Sequence, residues 1–473
     1  MKQSEFSESV VLFRTSQAIE VRASLLRLDR YAASFEIYSP DTVMQTSEAL
    51  EDFKIFINDR PVYVGRAVVR DLVNTGTVVV CEVDLDDFCF DVEFHATVSE
   101  QTQLRAQFEE FAQQWQKVCK VLPEFKVAIA DIQTFLIDLR RWLEQVELSI
   151  RSSPKADGPQ FVRAVIENLS QQVIPIIDAL FEKFEHVTSN LEHEMRPVHR
   201  SYIQRHLHPI VLCAPFAYRT YRKPLGYAGD YEMVNMMLRD PQEGSSIFAK
   251  MFNVWLLHQS SAAAHRSRLD FLKQRLIEET AAAVRAGREA RIFNLGCGPA
   301  WEVQAFLADS QLSNHAQFTL LDFNDETVQH TTQVLQQKKR QHQRTTLITL
   351  IKKSVQQLLK DIVRTDELSA TTKYDLIYCS GLFDYLPDRT CKRLMTVFYK
   401  SLAPGGVVLA TNVAPSTPNR GSLELILDWH LIYRDVKSFE TLIPDGVPRE
   451  QVQLRCDETA VNLFLEARKT NAF

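Results

Sequence analysis

Ala290-Arg291-Ile292-Phe293-Asn294-Leu295-Gly296-Cys297-Gly298-Pro299-Ala300 decides how the C-terminal part of this chain folds. An apolar run enters two glycines one residue apart, and residues compatible with a helix follow. That order predicts a strand, a tight turn whose backbone can approach a ligand, and a helix with its positive end nearby. Further along, Phe318-Thr319-Leu320-Leu321 predicts a second strand ending on Asp322. A carboxylate at that strand end can accept hydrogen bonds from a ribose diol. Together the two elements predict a cofactor that carries a nucleoside.

The same rhythm continues to both sides. Strands are expected at 292–295, 317–322, 346–351, 374–379 and 406–411, with helices at 300–309, 325–341, 354–363 and 388–402. Such alternation predicts an α/β fold, a parallel sheet covered by helices on both faces. Ligands of such sheets sit outside the carboxyl ends of the strands. The glycine loop, Asp322, Ser354, Cys379-Ser380-Gly381 and Asn412 all fall at those ends. A dinucleotide site wants a third glycine where Trp301 stands, and the indole opposes close helix–strand packing there.

Upstream the period changes. Residues 1–98 read as a β-rich domain, with runs such as Ala33–Tyr38, Phe53–Ile57 and Thr77–Val83. Turns at Asn58-Asp59 and Asn74-Thr75-Gly76 separate them, and the spacing suggests a small barrel. Residues 99–195 predict long amphipathic helices. Leu104, Phe108, Phe111, Trp115 and Val118 form one stripe, and Ile129, Ile132, Leu136, Leu139 and Leu143 another. Ser152–Pro159 breaks that region. Residues 196–473 then form a third domain that opens with a helical cap. Within the cap, Tyr221–Met233 holds two glycines, a proline and three tyrosines, and predicts a structured loop.

Composition bounds the function. The 473 residues are 45% hydrophobic and 24% charged, a globular profile, and the net charge of −6 offers no field for nucleic acid. Lys338, Lys339, Arg340 and Arg344 read as a solvated helix face. The eight cysteines include no Cys-x-x-Cys pair, so neither a disulfide framework nor a metal site is expected. No signal-peptide core and no run of about 18 apolar residues is seen, and the cytoplasm is the expected compartment.

The series Asn-Leu-Gly-Cys-Gly-Pro-Ala, Leu-Leu-Asp-Phe-Asn, Tyr-Asp-Leu-Ile-Tyr-Cys-Ser-Gly-Leu and Leu-Ala-Pro-Gly-Gly-Val-Val-Leu-Ala resembles the class I S-adenosylmethionine-dependent methyltransferases over roughly 275–473. The resemblance implies a Rossmann-like domain and S-adenosyl-L-methionine as cofactor. By position, it puts Gly296, Cys297 and Gly298 in the close-approach loop and Asp322 on the ribose. It puts Phe323, Ser354 and Val355 near the adenine, and Ser380 and Gly381 facing the methyl donor. Asn294 stands where many members carry an acid.

Three segments, Lys223–Met233, Ser380–Leu386 and Asp428–Arg434, also resemble bacterial 3-hydroxy fatty acid methyl ester synthases of the PhcB type, which make extracellular-factor quorum signals. That implies methylation of the carboxyl group of a 3-hydroxy fatty acid, free or carrier-bound. Such an acceptor is already ionised near neutral pH and needs no general base. It needs donors that orient the carboxylate, for which Tyr231, Tyr385, His430 and Arg434 are candidates. Tyr227 and Asp230 would lie by the cofactor, with Asp230 on its amino group. A protein carboxylate or another small molecule is the alternative acceptor.

Asp71-Leu72-Val73-Asn74-Thr75-Gly76 resembles the Asp-x-Ser-x-x-Gly turn of PilZ domains, barrels that bind cyclic di-GMP, with Val73 in place of serine. The Arg-x-x-x-Arg arm is absent, because Arg22, Arg27 and Arg30 have other spacings. That implies a degenerate PilZ-like module, and leaves a regulatory role linked to cyclic di-GMP as the alternative. The helical and PilZ-like regions both offer surfaces for a homodimer.

Overall fold

The computed structural model describes residues 9–38, 44–57, 59–74, 78–86, 121–152, 158–365 and 373–470, with positions 105, 108, 109 and 112. Asn58, Thr75, Gly76 and Thr77 lie outside the described residues. So do Leu104, Phe111, Trp115 and Val118 of the first helical stripe, residues 153–157 of the break, and Cys89 and Cys119. The chain forms two compact units. One comprises Met1–Ala228, Asp240–Leu257 and Asn419–His430, and the other Gly229–Arg239, His258–Pro418 and Leu431–Phe473.

The first unit begins with β1 (Val10–Arg14), β2 (Glu20–Leu28), β3 (Ala32–Ile37), β4 (Ala49–Ile57), β5 (Arg60–Asn74) and β6 (Val79–Leu85). They close into an antiparallel barrel in the order β1-β2-β3-β6-β5-β4. Residue alternation explains it. In β1, Val11 and Phe13 are buried while Leu12 and Arg14 face out. Phe13, Phe35 and Phe53 meet inside, with ring centroids 5.3, 5.9 and 5.8 Å apart. The barrel expected from the first 98 residues is therefore present.

Helices α1 (Pro123–Arg151) and α2 (Pro159–Ser189) each start with proline in the first turn, where its missing N–H costs nothing. The predicted stripe Ile129, Ile132, Leu136, Leu139 and Leu143 is the buried face of α1. Phe125 on α1 meets Phe184 on α2 at 5.8 Å. Next, α3 (Arg196–Val211) carries a buried charge cluster. Arg200 donates to both carboxylate oxygens of Asp428 at 2.6 Å and to the Leu85 carbonyl at 3.0 Å, tying the helix to the last barrel strand. Burial would raise the Asp428 pKa, but Arg200 and Lys223 beside it hold its carboxyl well below the usual range. Burial pushes the Lys223 ammonium down to about 7, against the pull of Asp428.

Three short helices follow, α4 (Pro215–Arg222), α5 (Tyr231–Leu238) and α6 (Ile247–His258), and α5 belongs to the second unit. Between α4 and α5, residues 223–230 form a turn-rich loop around the glycines and proline, shorter than the predicted Tyr221–Met233, because Tyr221 and Arg222 end α4 and Tyr231–Met233 begin α5.

In the second unit, α7 (Ser260–Arg285) precedes β7 (Ala290–Leu295), α8 (Trp301–Asp309), β8 (Ala316–Asp322), α9 (Asp325–Gln341), β9 (Leu347–Lys352) and α10 (Val355–Thr365). Then come β10 (Tyr374–Cys379), α11 (Asp388–Ser401), β11 (Leu402–Val413), α12 (Val436–Glu440), β12 (Val452–Cys456) and β13 (Asn462–Arg468). The sheet order is β12-β13-β11-β10-β7-β8-β9. Alternate residues of one strand feed opposite cores. Ile292, Leu376 and Leu409 join Phe306 and Phe318, while Phe293, Ile377 and Val408 join Phe383 and Phe398. That is why these strands read as unbroken apolar runs with helices on both faces.

The five predicted strands are parallel as expected, and two strands that were not predicted extend the sheet. β7 to β11 are parallel, but β13 runs antiparallel to β11, and β12 to β13, so the sheet is mixed. The hairpin between β12 and β13 closes through Asp457, whose carboxylate accepts from the Val461 and Asn462 N–H groups at 3.1 and 3.2 Å. Ala460 takes the left-handed conformation there, at φ 57°. A turn built on an Asp side chain, without glycine, gives little sequence signal. Among the described residues, no helix is long and apolar enough to cross a membrane.

Candidate active site

Parallel register brings the strand ends level. Leu295 pairs with Leu321 and with Cys379, and Cys379 with Ala410, so Gly296, Asp322, Ser380 and Thr411 emerge along one edge. At β7 the chain turns through Gly296 (φ 73°) and Gly298 (φ 49°), and Ala300 follows at φ 50°. The N–H groups of Gly296 and Cys297 both donate to the Leu321 carbonyl, at 2.8 and 3.0 Å, locking the turn onto β8. A Cβ on Gly296 would press the Leu382 side chain at 3.3 Å, whereas one on Gly298 would meet nothing within 4 Å. Gly298 thus presents bare backbone to open space.

Asp322 is buried. One carboxylate oxygen accepts the Gly298 N–H at 3.1 Å and the other the Asn324 N–H at 3.1 Å. Burial raises its pKa, while the N–H groups of Asn324, Gly298 and Phe323 pull the other way. A carboxylate has about four acceptor positions, so these bonds leave capacity on both oxygens. Thr331 of α9 donates to the Gly298 carbonyl at 2.7 Å, bracing the loop from the far side. Behind the loop, Asn294 is buried with its Oδ1 unpaired, and its amide stands 3.5 Å from the Glu302 carboxylate. Tyr378 donates to the same carboxylate at 2.7 Å, and burial raises the Glu302 pKa. An acid does stand beside Asn294, then, but α8 contributes it.

Beyond β10, residues 380–386 form a tight turn on which several elements converge. Gly381 (φ 81°) donates to Thr411 Oγ1 at 2.9 Å, and a Cβ there would stand 3.2 Å from the Arg268 guanidinium of α7. Tyr385 lies against the loop before α5, its hydroxyl 2.8 Å from where a Cβ on Gly229 would be. Between them, Asp384 is buried and accepts the Val413 N–H at 2.7 Å. Burial pushes its pKa up to about 6, against the pull of Arg268 and that N–H. Cys297 is also pushed up by burial, which keeps it a thiol.

The remaining predicted residues fall as follows. Asp230 is buried and caps α5 by accepting the Met233 N–H at 2.8 Å. Tyr231 donates to Glu326 at 2.7 Å and packs on His330 with ring centroids 4.4 Å apart, seating α5 against α9. Phe323 is half-buried after Asp322. Ser354 and Gln357 form a reciprocal cap on α10, at 2.9 and 3.2 Å, and Val355 joins the core. Ser380 is half-buried at the end of β10.

Arg434 is almost wholly enclosed, and each guanidinium nitrogen is hydrogen-bonded. Its partners are the Phe383 and Leu386 carbonyls at 2.7 Å, Asp388 at 2.7 and 2.8 Å, and Asn412. It stitches the turn after β10 to the end of β11. Tyr227 and His430 lie in the first unit, where the His430 ring stands 3.6 Å from Asp84 and burial lowers its pKa.

Sequence reasoning did not single out Arg268, Glu302 or the acidity of Asp384. Arg268 is one of several arginines along α7 and has no motif. Only tertiary packing distinguishes it.

Residues 293–408 match a family model described as a methyltransferase domain. No curated protein matches the chain. Among solved structures the chain is similar to a possible exported protein from Bordetella parapertussis, at 15% identity and a TM-score of 0.42, covering 67% of this chain and 99% of that one. It is also similar to the N-methyltransferase NodS from Bradyrhizobium japonicum in complex with S-adenosyl-L-homocysteine, at 15% identity and a TM-score of 0.31 over 50% and 97% of the two chains. A further likeness is to an O-methyltransferase family protein from Burkholderia thailandensis, at 11% identity and a TM-score of 0.34 over 60% and 75%.

Proposed function

We propose a reaction for the class I methyltransferase domain that the second unit carries: transfer of a methyl group from S-adenosyl-L-methionine to the carboxyl group of a 3-hydroxy fatty acid. The observation that carries the donor half is the bond from the Gly298 N–H to Asp322. It sets a bare backbone, open to a ligand, beside a buried carboxylate with acceptor capacity, which suits a ribose diol. Gly296, Cys297 and Gly298 would line the methionine and sugar, with Phe323, Ser354 and Val355 toward the adenine. Asp230 would take the amino group, and Ser380 and Gly381 would face the sulfonium. Bound there, the cofactor supplies an electrophilic methyl group.

The chain's own residues then have to orient an ionised carboxylate and exclude water from it. Tyr385 is the hydroxyl donor we assign to that task, while Tyr231, whose one O–H is given to Glu326, we assign to seating α5 beside it. Arg434, with every guanidinium nitrogen engaged, we assign to holding the turn that carries Tyr385. Tyr227 and His430 enter this reading through the sequence resemblance alone. The acceptor assignment rests on the segments around 223–233, 380–386 and 428–434. Mass spectrometry of lipid extracts incubated with the full chain and isotope-labelled donor tests it. Labelled 3-hydroxy acid methyl esters are expected. Label on protein carboxylates instead, with none in the lipid fraction, would shift the assignment to the alternative acceptor.

For the barrel we propose a degenerate PilZ-like module that serves contacts, not nucleotide sensing. Two of its half-buried arginines already hold ion pairs: Arg70 with Glu82 and with Asp84 at 2.6 Å, and Arg66 with Asp86 at 3.2 Å. Calorimetry with cyclic di-GMP should show no binding, and a saturable heat would overturn this reading.

A further inference from the structure

Among the described residues, two arginines of the second unit are buried, and of these Arg434 is matched with an acid and Arg268 is not, while the half-buried Arg275 and Arg468 are matched as well. Arg275 pairs with Glu279 at 3.2 Å and Glu466 at 2.9 Å, Arg434 with Asp388 at 2.7 Å, and Arg468 with Glu279. Arg268 is only 8% exposed, yet it makes no ion pair with any described carboxylate. Its one hydrogen bond runs from Nη2 to Nδ1 of His265, one turn earlier on α7, at 2.7 Å, and its Nε is buried without a partner. Because Nδ1 of His265 accepts that bond, the neutral imidazole carries its proton on Nε2, which is also buried and unpartnered. Two adjacent side chains therefore hold donors out of water with no acceptor.

Burial is the largest influence on Arg268 and pushes its pKa down; Asp384 first, and then Tyr385, Glu302 and Asp457, pull the other way from beyond ion-pair distance without bonding to it. An unpaired buried cation costs folding free energy unless an anion completes it. The position is also specific. The guanidinium lies over Gly381, which has no side chain to shield it, at the strand edge already assigned to the donor. The face of α7 that bears the pair is fixed against the sheet edge. Ala264 packs with Val413 and Val461, and its carbonyl accepts from Asn462 at 2.8 Å.

We infer that Arg268, supported by His265, is the receptor for a ligand carboxylate at the Gly381 edge of the site. A guanidinium recognises that group with paired N–H donors, and a neutral imidazole N–H adds another. The methyl-transfer reading supplies two such groups, the α-carboxylate of the donor and the carboxylate of the acyl acceptor, and the inference rests on that reading for their identity.

The test is calorimetry on the full chain, wild type against Arg268→Gln, with two probes titrated separately: S-adenosylhomocysteine and a 3-hydroxy fatty acid. Adenosine, which has no carboxylate, serves as control. Loss of at least about tenfold in affinity for one probe is expected, with adenosine affinity kept. Loss on S-adenosylhomocysteine assigns the donor carboxylate to Arg268, and loss on the fatty acid assigns the acceptor. Unchanged affinity for both, in a variant with wild-type circular dichroism, overturns the site. If Arg268→Gln does not fold, Arg268→Lys, which keeps the charge and loses the fork, is judged by the same criterion. A wild type that binds the fatty acid in an Arg268-dependent way but not S-adenosylhomocysteine would end the donor reading and leave the carboxylate site standing. A wild type that binds neither overturns both.

Discussion

Asp384 shows how a single residue at the strand edge couples fold and chemistry. Its carboxyl group is buried, accepts the Val413 N–H at 2.7 Å, and is pushed up to about 6. A carboxyl whose folded pKa exceeds its unfolded value near 3.8 stabilises the fold most when protonated. That contribution is complete below the unfolded value and is lost as the pH rises through about 6, a change of about 3 kcal/mol. Asp384→Asn mimics the protonated form in shape and charge. Its stability relative to wild type should therefore grow between about pH 4 and about pH 6.5 and then level off. Urea unfolding of both proteins across that range checks it, and a difference that stays flat with pH would contradict the shift. The residue was in plain view within Ser380–Leu386, but its acidity was not, because it depends on the distant residues that bury it.

Among the elements, the turn after β10 gathers the most constraints. Gly381 needs φ 81°, a region costly for other residues, and its missing Cβ leaves room for Arg268. Gly381→Ala should cost about 1–2 kcal/mol from backbone strain alone. It should also lower methyl transfer more than donor binding, since it displaces the turn carrying Tyr385. Urea unfolding with a transfer assay checks both effects, and an alanine variant with wild-type stability would refute the strain. The parallel strands and their helices were legible because two-faced burial writes long apolar runs, as in Tyr374–Cys379. The glycine pair was legible because positive φ demands glycine. The antiparallel β12–β13 hairpin was not, since Asp457 closes it through side-chain bonds and β12 is largely exposed. The capping of α5 by Asp230 was likewise hidden within a stretch predicted only as a structured loop, where the structure shows that residue starting a helix.

At the scale of the whole molecule, the chain divides into a barrel-and-helix unit and an α/β unit that contains the stretch matching a methyltransferase family model, each with its own core. The 3-hydroxy fatty acid ester that the proposed function expects from lipid extracts belongs to this scale, because both units are present in the chain that is assayed. The central claim is narrower and underlies everything else: the edge formed by Gly296, Gly298 and Asp322 holds the methyl donor. Without Asp322, the Gly298 N–H loses its acceptor and the ribose its carboxylate, so donor affinity should fall with little change in core packing. Calorimetry of S-adenosylmethionine binding to wild type and Asp322→Ala measures this directly. The account predicts saturable binding by wild type and a loss of about tenfold or more in the variant. No binding by wild type, or equal affinity in both, would contradict it.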